Sequence, residues 1–265
     1  MKIRAILFVV ILLTLPCVQA QEAFKPFKSG TYQYLVADEV NIRDKPSADG
    51  AKVAVLPIAD SVKILEKTDE VFTLRGYETN WYKIEFLDNG TSKTGYVWGG
   101  MLARSVAFDS DGLIFLCGIY GMGEEEWHPY KMQIRVANKN KQVDMITFEI
   151  YRDFGGIEFR LQEDPGIKGA ENIVSFFYYA DHCAGTSGNN HYIFDGKKLH
   201  VGFELRTGFD APVYHHEALI WPSNEMGVPN RVIWIMASGD YDADNPEKAA
   251  VKLYKWDGSK MVEAK

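Results

Sequence analysis

From residue 32 to the end of the chain, apolar residues almost never recur with the three-to-four spacing of an amphipathic helix. What recurs instead are runs of about four to eight β-branched and aromatic residues, each closed by a cluster of Gly, Asn, Asp or Pro. Asp88-Asn89-Gly90, Asp195-Gly196 and Asp257-Gly258 are sequences that join neighbouring strands through tight hairpins. A chain built this way must bury one face of each sheet it forms, and the expected fold class is all-β.

The first twenty residues stand apart. Lys2 and Arg4 precede an apolar run from Ala5 to Leu15, and Val18-Gln19-Ala20 places small residues at the −3 and −1 positions of a cleavage site. Residues 1–20 therefore read as a signal peptide, too short in its apolar part to span a bilayer, and the mature chain as exported, periplasmic or secreted. Cys17 follows Leu15-Pro16, where lipoprotein processing wants a small residue, so a lipid anchor is not expected. Residues 21–31 read as a tether. Removing Lys2 and Arg4 from the 29 basic residues leaves 27 against 36 acidic ones, so the net charge moves from −7 to −9. That balance argues against nucleic acid and against simple attraction to anionic membranes.

Two cysteines stay in the mature chain. Cys117 lies in the apolar run Leu113 to Tyr120 and reads as a buried thiol, while Cys183 borders a polar, Gly-rich loop. Two unpaired thiols are the favoured state, with a disulfide between them as the alternative in an oxidising compartment.

After Leu102 the composition shifts. Ile114, Ile173 and Val232 each begin an apolar strand and are spaced 59 residues apart in both steps. Each strand leads through a polar loop to a second strand, around Gln133 to Lys141, His191 to Leu199 and Lys252 to Met261. Residues 105–265 thus read as a β-rich domain of about three hairpin repeats, arranged as a sandwich or an incomplete propeller-like stack. With its acidic loops and Trp256-Asp257-Gly258 turn, this part is weakly similar to the Asp-rich β-repeats of bacterial surface proteins.

Residues 32–104 carry a clearer pattern. Val40-Asn41-Ile42-Arg43 is followed by Pro46-Ser47; Lys52 to Leu65 is an alternating hairpin; Trp81-Tyr82-Lys83-Ile84 and Gly95-Tyr96-Val97 are two further strands. In this order the motifs resemble those of a bacterial SH3 domain. The resemblance implies a small β-barrel that recognises peptidoglycan or a peptide, and the departures from it are Ala59, where the family usually has Gly, and two long segments, Lys67 to Thr79 and Leu87 to Lys93. Period-two alternation places Ile84 and Val97 inside such a barrel and turns Trp81, Tyr96 and Trp98 outward. Those three aromatics are the candidate ligand-stacking residues, or else pack against the second domain or the tether. Arg43 is the candidate carboxylate partner, or else the anchor of the turn after it.

Three other constellations compete. Asp181-His182-Cys183-Ala184-Gly185 and His200-Val201-Gly202 are similar to the nucleophile and base motifs of peptidoglycan-cutting cysteine peptidases, which would make the C-terminal domain a cell-wall hydrolase. His182 interrupts the first motif, however, and no helix supplies a dipole to lower the thiol pKa. His182, Cys183, His191, His215 and His216 have the atoms zinc prefers but no compact spacing. Asp240, Asp242 and Asp244 alternate as calcium ligands do, which leaves open a calcium-stabilised scaffold for a protein partner. No phosphate-binding loop or nucleophile elbow is present. The sequence thus favours an exported, non-catalytic binding protein of the cell envelope, with no catalytic residue and no required cofactor.

Overall fold

The computed structural model describes residues 25–123, 130–150, 154–180, 185–243 and 246–264. Every regular element among them is a strand, apart from one 3-10 turn at Gly99–Met101. The chain is all-β. The expected leader, the start of the tether, His182, Cys183 and Asp244 lie outside the described residues.

Six strands form the first sheet: β1 (Tyr32–Tyr34), β2 (Val40–Arg43), β3 (Lys52–Leu56), β4 (Ser61–Leu74), β5 (Tyr77–Asp88) and β6 (Thr91–Trp98). Their order is β1-β4-β5-β6-β2-β3, all antiparallel. Alternation sorts the side chains. Val40, Ile42, Val62, Ile64, Tyr82, Ile84, Phe86 and Val97 converge on one core with Leu35, Leu56 and Leu102. Ile42, Ile64, Ile84 and Val97 have no exposed surface, and each aliphatic side chain so buried contributes about 1.5–3 kcal/mol. The β5–β6 hairpin turns through Asn89 and Gly90 at φ of 50° and 78°, both left-handed as a tight two-residue turn needs. Ala59 takes φ of 65°, so the turn before β4 has the conformation a glycine would adopt there without strain. The Ala59 side chain belongs to a buried cluster with Leu116 and Ala137, which offsets part of the roughly 1–2 kcal/mol conformational cost.

The second sheet comprises β7 (Ser105–Phe108), β8 (Leu113–Met122), β9 (Tyr130–Asn138) and β10 (Lys141–Ile150), ordered β10-β9-β8-β7. The third is an eight-stranded meander: β11 (Phe154–Glu163), β12 (Asn172–Ala180), β13 (Gly185–Phe194), β14 (Leu199–Asp210), β15 (Val213–Ile220), β16 (Val232–Asp240), β17 (Lys248–Trp256) and β18 (Met261–Glu263). Ile114, Ile173 and Val232 sit at the starts of β8, β12 and β16, and each of these strands pairs antiparallel with its successor. The turns after β13 and β17 close alike: Asp195 Oδ1 accepts the N–H groups of Lys197 and Lys198, and Asp257 Oδ1 accepts those of Ser259 and Lys260.

The apolar faces explain the layering. Phe115, Cys117 and Ile119 of β8 and Met132, Ile134 and Val136 of β9 pack against Val174, Phe176 and Tyr178 of β12 and Tyr192 and Phe194 of β13. Two sheets thus bury a common core, and of the two architectures open from sequence the sandwich is the one formed. The alternate residues of the third sheet are buried as well. Ile173 and Ile193 join Trp221 and Val232 in a separate cluster flanked by Leu219 and Tyr254. Strands β14 and β15 pair only from Gly208↔His215 to Asp210↔Val213, and there the meander folds back so that its second half covers the outer side of β12 and β13. Backbone and side-chain bonds stitch the layers: Leu199 N–H donates to Asp144 Oδ2 at 2.7 Å, and Asn172 Nδ2 donates to Asp109 Oδ2 at 3.1 Å.

The outer side of the second sheet seats the first. Val36, Ile58, Ala59 and Ala103 pack on Leu116 and Ala137. A Cβ on Gly118 would lie 3.1 Å from Val36, so the bare backbone lets the two sheets approach. Asn140, in the β9–β10 turn, donates to Asp60.

Candidate functional site

The long segment 67–79 is not a loop. It continues β4 and β5 past the barrel as a bulged hairpin arm, with breaks in register between Ile64 and Glu66 and between Lys67 and Val71. The bulges bend the arm, and its tip, Arg75-Gly76, turns at φ of 51° and 75°. The tip is bound to the second sheet, because Met122 N–H donates to the Arg75 carbonyl at 2.9 Å. Gly121 makes this possible, since a Cβ there would lie 2.8 Å from that carbonyl oxygen.

The arm decides the fate of the outward aromatics. Trp81 and Trp98 lie opposite each other on β5 and β6, outside the barrel core as alternation requires. Phe72 of the arm covers them, its ring centroid 5.8 Å from that of Trp98 and 6.2 Å from that of Trp81. Trp98 Nε1–H donates to the carbonyls of Phe72 at 2.8 Å and Thr79 at 3.2 Å. Both indoles belong, with Tyr77, to the apolar cluster that continues into the residues of β8 and β9, and only 5% of Trp81 and 6% of Trp98 is exposed. Of the two readings open from sequence, ligand contact or packing, the burial of these rings accords with packing: they clamp the arm, and only their edges reach a cleft. Tyr96 is half-buried, packs toward the same core and does not line that cleft. Arg43 Nη1 donates to the Gly50 carbonyl at 2.7 Å, anchoring the turn between β2 and β3.

The cleft occupies about 420 Å³ between the arm, the start of β2 and the outer side of β8 and β9. Arg43, Arg75, Trp98, Tyr120, Gln133 and Arg135 give it its chemistry, with Asp38 and Glu39 on one rim. Arg75 lies with its guanidinium carbon 4.1 Å from the centre of the Tyr120 ring, a cation–π contact. Arg135 donates from Nε to Gln133 Oε1 and from Nη1 to Gln142 Oε1, both at 2.8 Å. Neither of these guanidinium groups forms an ion pair among the described residues. Burial pulls the Arg135 pKa below its usual value, and the neighbouring charge of Arg75 pulls the same way, while Tyr120 and Asp38 oppose it. Although Asp38 and Glu39 lie on the rim, two cations held together in this way form a seat for an anion.

A shallower trench continues from the cleft. Pro46, Ser47, Ala48 and Asp49 form one side and Asp69, Glu70 and Val71 the other, with Ala48, Phe72 and Trp81 shared by both parts. The combined channel is acidic at its outer end and basic at its inner end.

Among the described residues the other candidates do not come together. His200 Nε2 pairs with Asp195 Oδ2 at 2.8 Å and its ring lies 5.2 Å from Trp256. His215 and His216 point to opposite sides of β15, the first 3.3 Å from Glu217 and the second 3.4 Å from Thr207. His191 is buried between layers, with Nδ1 2.8 Å from Ser175 Oγ. Among the described residues no three His, Cys, Asp or Glu side chains are placed to hold a metal ion. Asp240 Oδ1 accepts the Asp242 N–H at 2.9 Å. Cys117 is free and fully buried, and burial pushes its thiol pKa up, the reverse of what a nucleophile needs.

Part of the cleft was readable in advance. In β9, Gln133 and Arg135 alternate with apolar Met132, Ile134 and Val136, so one polar side of that strand is evident. Nothing in the sequence pairs it with Arg75, which lies 60 residues earlier in the chain.

Residues 38–103 match the family model of the bacterial SH3 domain. The match covers β2 to β6, arm included, and about a quarter of the chain. No curated protein and no solved structure matches.

Proposed function

We propose that the chain is an exported, non-catalytic binding protein of the bacterial cell envelope, whose SH3-like module recognises peptidoglycan or a peptide in the channel between the arm and the second sheet. Bacterial SH3 modules suit a cell-wall or peptide-binding role, and the match over residues 38–103 is what supports that class of ligand. The observation that carries the location is the cleft itself, which gathers Arg43, Trp81 and Trp98 with Arg75 and Arg135. A site of this size, with aromatic edges and a few polar groups, suits a small part of a polymer or a short peptide. No helix among the described residues is long and apolar enough to cross a membrane. Residues 1–20 support export, by the pattern of a signal peptide.

Co-sedimentation with purified peptidoglycan tests the reading. Ala48 is exposed and lies where trench and cleft meet, so Ala48→Trp blocks the channel without disturbing a core. Wild type sediments with the polymer and the variant stays in solution. A wild type that stays in solution, or a variant that sediments equally, overturns the assignment.

A further inference from the structure

The electrostatic layout of the channel specifies more than a class of ligand. Its inner end holds Arg75 and Arg135, which come from different sheets and converge because the arm tip is tied to Met122. Arg135 already engages Gln133 and Gln142 through Nε and Nη1, which fixes the plane of its guanidinium and leaves Nη2 without a partner among the described residues. Among the described residues Arg75 makes no hydrogen bond through its guanidinium, which rests on Tyr120 instead. Like charges held close to each other repel, and a bound anion relieves that repulsion. The outer end carries Asp49, Asp69 and Glu70, and an anion lying along its length would meet them unfavourably. A ligand that fits both ends is negative at one end and positive at the other.

We infer that the channel takes a short extended peptide with a free terminal carboxylate, the carboxylate seated between Arg75 and Arg135 and an amino group lying toward Asp49, Asp69 and Glu70. This rests on the reading of the channel as a peptide or peptidoglycan site and adds to it an orientation and a required end group. Guanidinium–carboxylate hydrogen bonds are among the strongest a protein makes, and their planar geometry favours a carboxylate over a neutral amide. The second domain therefore contributes half of the seat, through Arg135 and the Tyr120 platform. An isolated SH3-like module lacks it.

Calorimetric titration of the full chain with the tripeptide Lys-Ala-Ala, as the free acid and as the C-terminal amide, tests the inference. The acid binds at least tenfold more tightly than the amide. Arg75→Gln, at an exposed position, and Arg135→Gln each abolish that preference, while Arg75→Lys keeps part of it. Equal binding of acid and amide, or a preference unchanged in both glutamine variants, overturns the inference. If peptidoglycan sediments the protein and neither peptide binds, the inference fails and the general reading stands. If neither polymer nor peptide binds, both fall.

Discussion

Lowering the pH from 7 to 5 should destabilise this protein through one buried side chain, His191. Only 4% of the residue is exposed, its ring lies 5.5 Å from Trp221 and 6.1 Å from Phe177, and Nε2 has no hydrogen-bond partner among the described residues. Burial lowers its pKa from the usual 6.5 to about 3. The unfolded chain takes up a proton below 6.5 that the folded chain refuses until about 3. Stability is therefore complete above pH 6.5 and falls with pH through that window. At about 1.4 kcal/mol per pH unit the whole effect is about 5 kcal/mol, of which about 2 kcal/mol is lost by pH 5. Burial and the neighbouring His215 also lower the His216 pKa, which adds a drop of the same sign. The carboxylates held below their usual range, Glu163, Asp195 and Asp257, act only at more acid pH. Urea unfolding at pH 7 and pH 5 reads the loss directly. His191→Asn, whose amide can keep the bond to Ser175, reduces the difference to the His216 part. A wild type equally stable at both pH values, or a variant that keeps the full difference, refutes the reasoning.

Gly100→Ala puts a methyl 2.2 Å from the Trp98 ring, which two hydrogen bonds hold in place. Crowding of that kind costs about 1–3 kcal/mol, and an unchanged urea midpoint would contradict the role given to Trp98. Asp195→Ala removes the acceptor of two turn N–H groups and the partner of His200; the expected loss is about 1–2 kcal/mol, seen as a lower midpoint with an unchanged slope. Calcium leaves the unfolding temperature where chelator leaves it, because among the described residues no three carboxylates are placed to hold a metal ion; a rise in calcium would instead establish a site.

Local chemistry made the barrel legible. Ile84 and Val97 face its interior, as strict alternation requires, and Asn89-Gly90 forms the turn its dipeptide demands. The same rule placed Trp81 and Trp98 outside the barrel core, where they are, but alternation says only which side of a strand a residue takes. It is silent about what covers that side. Residues 67–79 stand out in the sequence only as a segment longer than the resemblance requires; in the fold a bulge falls after Lys67, and pairing resumes from Val71 to Leu74. Both sides of β12 are buried, which gives a near-continuous apolar run, Ile173 to Tyr179 interrupted only by Ser175, from which no layer order can be deduced. Arg75 and Arg135 are brought together by two hairpins and a bond between the arm and the second sheet, and no local signal encodes that.

The residues that line the cleft are also those that hold the two parts of the chain in register. Trp98 grips the arm backbone at Phe72 and Thr79, the arm tip accepts the Met122 N–H, and Tyr120, two residues before Met122, carries Arg75. Opening the cleft by a hinge would break this chain of contacts and expose Val36, Leu116 and Ala137, all fully buried at the seam. At about 25 cal/mol per Å² of apolar surface, such exposure is unfavourable. The seat for an anion is consequently preformed, and a ligand entering it has little protein ordering to oppose its binding. Affinity then depends on how well one end group meets two fixed guanidinium groups, which is why removing a single charge from the peptide is the most discriminating change to make.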